Sequence, residues 1–272
     1  MRDGRGTGAM AAARGERGWR GTRVVGALML REMATTYGRS PGGYVWAIAE
    51  PVLGIVLLTA VFSAIIRTPP LGSNFALFYA TGMLPFLLYN DIAGKVGNAI
   101  RYSRPLLAYP SVTYIDAIVS RVVLNTMTGI VVLVIVMGSI ITFYNLSVSL
   151  DYGAILHAIV MAVALGLGVG TVNCDLSGLF PVWERVWAIV TRPLFIISGI
   201  FFLVDGLPEP LRTLTLWNPV AHVIIEMRAG FFATYDGRYA SPLFVYGVST
   251  ILLFFGLLLL YRAHREILDE GA

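Results

Sequence analysis

Residues 152–174 read YGAILHAIVMAVALGLGVGTVNC, twenty-three positions with one histidine and no formally charged side chain. Roughly 20 mainly apolar residues are needed for a helix to cross about 30 Å of hydrocarbon. Lipid also forbids unpaired backbone groups, so a run of this length is read as a membrane-spanning helix. Gly166, Gly168 and Gly170 give the run a superficial likeness to a dinucleotide-binding loop. Such a loop follows a strand, and no strand precedes this one. The glycines are better read as small residues that let a second helix approach closely, through the Gly166/Gly170 pair.

Outward from this run, apolar stretches recur at Tyr44–Ile66, Phe75–Asp91, Val122–Tyr144 (with its helix reaching back to about residue 115), Val186–Val204 and Pro242–Tyr261. Phe75–Asp91 is short, and Val186–Val204 contains Arg192-Pro193. A further apolar segment, Leu214–Phe232, stops short of full length. The reading is an all-α integral membrane protein of six transmembrane helices, with five and seven as compatible counts. The bulk composition agrees: of 272 residues 57% are hydrophobic and only 13% charged, half the charge of an ordinary soluble domain, and the mean hydropathy is +0.74. The net charge of +4 reflects a cytoplasmic Lys/Arg excess rather than nucleic-acid binding. Cys174, the single cysteine, excludes an internal disulfide and reads as a small buried hydrophobe.

Six spans put both termini on one side. That side collects sixteen of the twenty basic residues, among them Arg31, Arg39, Lys95, Arg101, Arg104, Arg121, Arg185, Arg192 and Arg262. The other holds only Arg67, Arg212, Arg228 and Arg238, so both termini are assigned to the cytoplasm. Residues 1–23, rich in Gly and Arg, are expected to be disordered and are not a secretory signal, because Arg31 and Glu32 follow the short apolar stretch Val24–Leu30 at once. Over residues 24–40, Val25, Leu28, Met29 and Met33 recur at helical spacing, with Arg23, Arg31, Thr35 and Arg39 on another face. This is the pattern of an amphipathic helix lying in the membrane interface.

Two segments between spans carry polar character. Residues 94–104, Gly94 to Arg104, are short and basic, with Pro105 and Pro110 after them, and predict a cytoplasmic helix of about two turns. The cytoplasmic loop Asp175–Arg185 is compact. In residues 205–238, Asp205-Gly206 and Asp236-Gly237 signal turns, and Pro208, Pro210 and Pro219 break any long helix. Leu211–Trp217 and Pro219–Ala229 are each too short to span, which predicts a re-entrant or interfacial helix pair before the last span.

ATP binding in the P-loop manner is excluded, so any ATP used is bound by another polypeptide: Gly94-Lys95 would need glycine at 89 to form a phosphate-binding loop, and Tyr89 stands there. His222 and Glu226, at i and i+4, share one face of the second short helix, but two ligands do not make a metal site. His157 reads as an interfacial polar tip and His264 lies in the cytoplasmic tail. Covalent catalysis has no motif support. Charges within spans are costly and therefore candidates for function: Glu50, Arg121 and Arg192 all lie near the cytoplasmic interface, where long side chains can also snorkel to water. Trp46, Trp183, Trp187 and Trp217 near span ends fit an aromatic belt, or stacking against sugar rings in a conduit.

Taken in order, Leu30-Arg31-Glu32, Tyr37-Gly38, Gly43-Tyr44-Val45-Trp46-Ala47-Ile48-Ala49-Glu50-Pro51, Gly82-Met83-Leu84-Pro85-Phe86, Asn98-Ala99-Ile100, Leu107-Ala108-Tyr109-Pro110, Ile115-Asp116, Arg192-Pro193-Leu194-Phe195-Ile196-Ile197-Ser198-Gly199 and Trp217-Asn218-Pro219 with His222, Glu226 and Arg228 form a series. It resembles the permease subunit of ABC-2 type polysaccharide exporters, most closely the group-2 capsular polysaccharide exporter permeases of Gram-negative bacteria. The long Gly/Arg-rich N-terminus departs from that pattern. The resemblance implies a dimer in the bacterial inner membrane, with two copies of a separate ATPase subunit carrying ATP and magnesium. It implies a coupling helix in which Asn98, Ala99, Ile100, Arg101 and Arg104 dock on that ATPase, and a re-entrant cap over residues 205–238. Its substrate would be a lipid-linked anionic polysaccharide, with periplasmic and outer-membrane export proteins continuing the route. Glu50, Arg121, Arg192, Trp217, His222, Glu226 and Arg228 are then the translocation and gating candidates. O-antigen, teichoic-acid and drug exporters of the same fold are the rivals within the class. An ion-coupled secondary transporter would show half-to-half repeats and carboxylates deep in the spans, and neither occurs.

Overall fold

In the computed structural model, residues 23–35, 43–107 and 112–269 are described, apart from the side chains of Tyr44 and of residues 263–269. The expectation of disorder over residues 1–22, Arg39 of the amphipathic segment, Ala108-Tyr109-Pro110, and the side chains of His264 and Arg265 lie outside these. Among the described residues every regular element is a helix: α1 over 23–35, α2 Gly43–Ile65, α3 Phe75–Gly97, α4 Ala99–Leu107, α5 Tyr114–Phe143, α6 Tyr152–Leu179, α7 Trp183–Ile197, α8 Glu209–Leu216, α9 Pro219–Phe231 and α10 Pro242–Asp269, with a 3₁₀ turn at Val204–Gly206.

Four of these, α2, α5, α6 and α10, are long and apolar enough to cross a membrane. The other two runs read as spans differ from their expected form. α3 has 23 residues and runs past Asp91 to Gly97, so Gly94 to Gly97 belong to it and not to the next helix. α7 has only 15 residues and ends at Ile197, well before Val204. At 1.5 Å per residue it rises about 22 Å. It stops because Gly199 takes a φ of +84°, a left-handed conformation that no helix continues through. Asp175–Leu179, expected in a loop, complete α6. Pro105 lies inside α4 instead of closing it. The two short helices fall where the prolines predict them.

α6 is the hub, packed against α10, α3 and α9. Its glycines explain how. A Cβ at Gly166 would come within 2.9 Å of the Ile92 Cβ, and one at Gly170 within 2.7 Å of the Val96 Cβ, so this pair forms the close seam with α3. Gly168 faces the other way, where a Cβ would fall 2.6 Å from the Ser249 carbonyl oxygen of α10. Side chains cap the elements: Asn74 accepts from the Leu77 N–H, Asp151 from those of Gly153 and Ala154, and Thr113 forms a reciprocal box with Asp116. α3 and α9 are largely buried, whereas Leu53, Val56 and Leu57 of α2, Val131 and Val134 of α5, and Phe254 and Phe255 of α10 are exposed. Apolar surface on this scale is suited to a lipid surrounding.

Candidate functional site

Polar chemistry gathers at both ends of the bundle and in one cleft between them. At the α4 end the capping box of Thr113 and Asp116 sets the register of α5 so that Arg121, two turns on, points at the end of α3. Its guanidinium is buried. Nε lies 3.4 Å from the Glu32 carboxylate of α1, itself buried, Nη1 donates to the Lys95 carbonyl, and the Tyr102 ring centroid of α4 is 4.6 Å away. The Tyr102 hydroxyl meets Thr35 Oγ1, and Asn125 Nδ2 donates to the Arg121 carbonyl at 2.7 Å. Arg121 thus ties α1, α3, α4 and α5 together instead of snorkelling to water. In α4, Ala99 and Ile100 are buried in the chain's own core, while Arg101, Tyr102 and Pro105 face outward. Asn98 caps α3 and donates to the Gly94 carbonyl. Arg101 pairs with Glu184 at the start of α7 at 2.7 Å.

At the α8–α9 end Arg228 is fully buried. Nη1 donates to the Phe202 carbonyl at 2.9 Å and Nη2 to the Ile200 carbonyl at 3.0 Å, with the Phe78 ring 4.2 Å from the guanidinium carbon. These are two backbone acceptors of the non-helical stretch that follows α7, and no carboxylate reaches Arg228 among the described residues. Gly82 of α3 makes room: a Cβ there would be 3.1 Å from the Ile200 Cα. Asn218 adds a second tie, donating from Nδ2 to Ser198 Oγ at 2.9 Å while its Oδ1 accepts the Val220 N–H. The break after α7 is therefore pinned from α9.

His222 and Glu226 do not share a polar face. His222 is buried, with Nε2 2.8 Å from the Leu216 carbonyl and Nδ1 3.1 Å from the Ser241 N–H, so it staples α8 to the loop before α10. Glu226 meets His157 of α6 at 3.0 Å. Asp205 accepts from the Tyr235 hydroxyl at 2.7 Å and lies 3.5 Å from Arg238. Burial, and then the hydrogen bond to Asp205, push the Tyr235 hydroxyl well above its ordinary value. Trp217, just past the end of α8, is 75% exposed, and Glu50 is exposed on α2.

The third feature is a cleft of about 540 Å³ between α3 and α7, lined by Phe86, Asn90, Gly94, Glu184, Trp187, Thr191, Arg192 and Phe195 among others. Of the candidates drawn from the sequence, only Arg192 opens onto it. Glu32, Tyr102 and Asn90 were missed. A signal for Glu32 exists: it falls seven residues after Val25 and four after Leu28, on the apolar face of α1, where a charge needs a partner.

Residues 23–232 match the family described as ABC-2 type transporter. The chain belongs to that family. Over 243 residues it is 28% identical to the polysialic acid transport protein KpsM of Escherichia coli, covering 89% of this chain and 94% of that one. It is 26% identical to the capsule polysaccharide export inner-membrane protein CtrC of Neisseria meningitidis, over 90% and 92%. The O-antigen export system permease protein RfbA of Klebsiella pneumoniae matches at 24%, over 80% and 84%. All the clusters described above lie within the matched region except the contacts made from Tyr235, Arg238 and Ser241.

Proposed function

We propose that this ABC-2 transporter chain is the permease subunit of an ATP-driven exporter that moves a lipid-linked capsular polysaccharide out of the cytoplasm through the bacterial inner membrane. The carrying observation is the end-to-end similarity to inner-membrane capsule export proteins, which spans about nine-tenths of both chains. The O-antigen permease matches less of itself and at lower identity. Like other permease subunits of this family, the chain is not an enzyme; ATP and magnesium belong to a separate ATPase.

On this reading α2, α3, α5, α6, α7 with the stretch after it, and α10 are the six spans, both termini are cytoplasmic, and α1 lies in the interface. α4 faces the ATPase with Arg101, Tyr102, Arg104 and Pro105. Ile100 and Ala99 hold α4 to the bundle instead, so the Arg121 cluster is the route by which a push on α4 reaches α1 and α5. α8 and α9 form the re-entrant pair at the periplasmic end. α7, with no buried residue and several charges, is a poor face for lipid; a second copy, with the path between the two, covers it. Two ATPase subunits and periplasmic and outer-membrane proteins complete the route.

The test is genetic and biochemical together. Deleting the chain is expected to trap finished glycan in the cytoplasm and strip the cell of surface polysaccharide, with restoration by complementation. Undiminished surface polysaccharide in the deletion strain overturns the reading. The purified chain is expected to hydrolyse ATP only when its ATPase partner is co-expressed.

A further inference from the structure

The cleft between α3 and α7 differs in chemistry from the other large groove of the molecule. That groove, about 560 Å³ between α2 and α5, is lined by Val52, Ile55, Val56, Val136, Ile140 and Phe143, with hydroxyls as its only polar groups, and suits an acyl chain. The α3–α7 cleft instead sets aromatic rings beside hydrogen-bonding and charged groups. On α7, Glu184, Trp187, Thr191, Arg192 and Phe195 follow one another at helical spacing along one face. On α3, Phe86, Asn90 and Gly94 do the same.

The charges in the cleft do not cancel. Glu184 is already held by Arg101 at 2.7 Å. Arg192 stands eight residues further along α7, about 12 Å along the helix axis, and its side chain is exposed. Among the described residues it meets no carboxylate and Asn90 donates to no protein group. On the six-span reading α7 crosses the membrane, where a guanidinium requires an anion or water beside it. Phe86 and Phe195, with ring centroids 5.0 Å apart, close the far end of the cleft. Gly94 leaves its floor open, because a Cβ there would meet nothing within 4 Å.

We propose that this cleft is a saccharide subsite that takes an acidic sugar unit of the exported glycan, its carboxylate on Arg192, a hydroxyl on Asn90 and its ring against Trp187. This rests on the export reading above and adds to it a place and a chemical class. Guanidinium and carboxylate give the charge-assisted contact. The Trp187 ring gives an apolar face that tolerates successive sugars sliding past. The Arg101–Glu184 pair at the mouth joins the subsite to α4, so docking of the ATPase and occupation of the cleft act on the same helix.

The experiment uses the assembled permease–ATPase complex in lipid nanodiscs and, in parallel, surface polysaccharide on intact cells. Binding of α2,8-linked trisialic acid and of trigalacturonic acid is compared with that of maltotriose and inorganic phosphate. At least one acidic trimer is expected to bind, and maltotriose and phosphate at least about tenfold more weakly. Arg192→Gln is expected to weaken the acidic trimer about tenfold or more, Arg192→Lys to restore most of it, and Trp187→Ala to cost more than Trp187→Phe. Gly94→Leu places a side chain in the cleft from a position where a Cβ meets nothing within 4 Å, and is expected to abolish binding and export at unchanged protein level. Ile189→Ala, exposed on α7 outside the cleft lining, is the control. Equal binding of maltotriose, failure of both acidic trimers, or wild-type export by Arg192→Gln and Gly94→Leu overturns the proposal. Arg192-dependent binding of phosphate at the strength of the acidic trimer overturns it in favour of the lipid-linkage phosphate. Export by these variants alongside a capsule-free deletion strain removes the subsite and leaves the exporter standing; an encapsulated deletion strain removes both.

Discussion

Two buried arginines, Arg121 at the α4 end and Arg228 at the α8–α9 end, solve the same problem in different ways. Arg121 meets a carboxylate, a carbonyl and a ring, each from a different helix. Arg228 meets two carbonyls of one stretch of chain and the ring of Phe78, with no counter-charge among the described residues. An ion pair tolerates small changes of distance and angle, so the α1–α5 link through Glu32 can adjust while staying connected. Carbonyl acceptors at 2.9 and 3.0 Å are directional, and they fix the broken end of α7 to α9. The end that is proposed to receive the push of the ATPase is joined by an adjustable contact, and the far end by a rigid one.

The comparison breaks most visibly at Arg228. Arg228→Met is expected to leave the Ile200 and Phe202 carbonyls without donors at about 1–3 kcal/mol each, seen as a large fall in thermal stability of the lipid-reconstituted protein. Arg228→Lys should recover little, because an ammonium cannot span both acceptors as the planar fork does. Near-wild-type stability for Arg228→Lys would show that charge alone, not the two-pronged geometry, holds the break.

Arg121 is expected to respond next. Arg121→Gln strands the buried Glu32 and should cost about 3 kcal/mol, and Glu32→Gln in the same chain should return part of it. A double-mutant cycle is expected to give a coupling energy of about 1–3 kcal/mol, and the single variants should hydrolyse ATP in the complex with reduced export per ATP. Additive effects would place the two residues in separate roles.

A smaller, purely packing effect is expected at the α3–α6 seam. Gly170→Ala puts a methyl 2.7 Å from the Val96 Cβ and should lower stability by about 1–3 kcal/mol. Val96→Ala is expected to relieve it. The same methyl at Gly94, which faces open space, should cost nothing measurable in stability, and a thermal-shift comparison of the two tests this.

Much of the architecture was legible because lipid makes it so. Apolar runs of twenty residues, prolines and basic clusters identify the helices, and the helical seam of Gly166 and Gly170 follows from residue size alone. The limits are equally physical. α7 ends at Ile197 because Gly199 takes a backbone conformation that hydropathy does not report, and the apolar Ile200–Leu203 that follow read as more span. Ile100 looks like a docking contact on a short helix, but an apolar side chain serves equally well facing inward, and it does. Side chains whose partners come from distant sequence, such as Arg121 with Glu32, cannot be paired from spacing.

The smallest expected effect sharpens the comparison within a single helix. Glu226 and Arg228 lie two residues apart on α9 and were equal candidates for lining a path. Arg228 is fully buried, whereas the Glu226 carboxylate and the His157 ring are both partly exposed, at 18% and 38%. A carboxylate–imidazole contact in that setting contributes at most about 1 kcal/mol, because water competes for both partners. Glu226→Gln keeps the shape and a hydrogen-bond acceptor for His157, and His222 keeps its own ties to Leu216 and Ser241. Glu226→Gln is therefore expected to fold, assemble and export within about twofold of the unaltered chain, against the large fall in stability expected of Arg228→Met. If Glu226→Gln lost export while holding its thermal stability, the contact between α6 and α9 would be a working part of the outer mouth. The division of α9 into one structural arginine and one dispensable carboxylate would then be wrong.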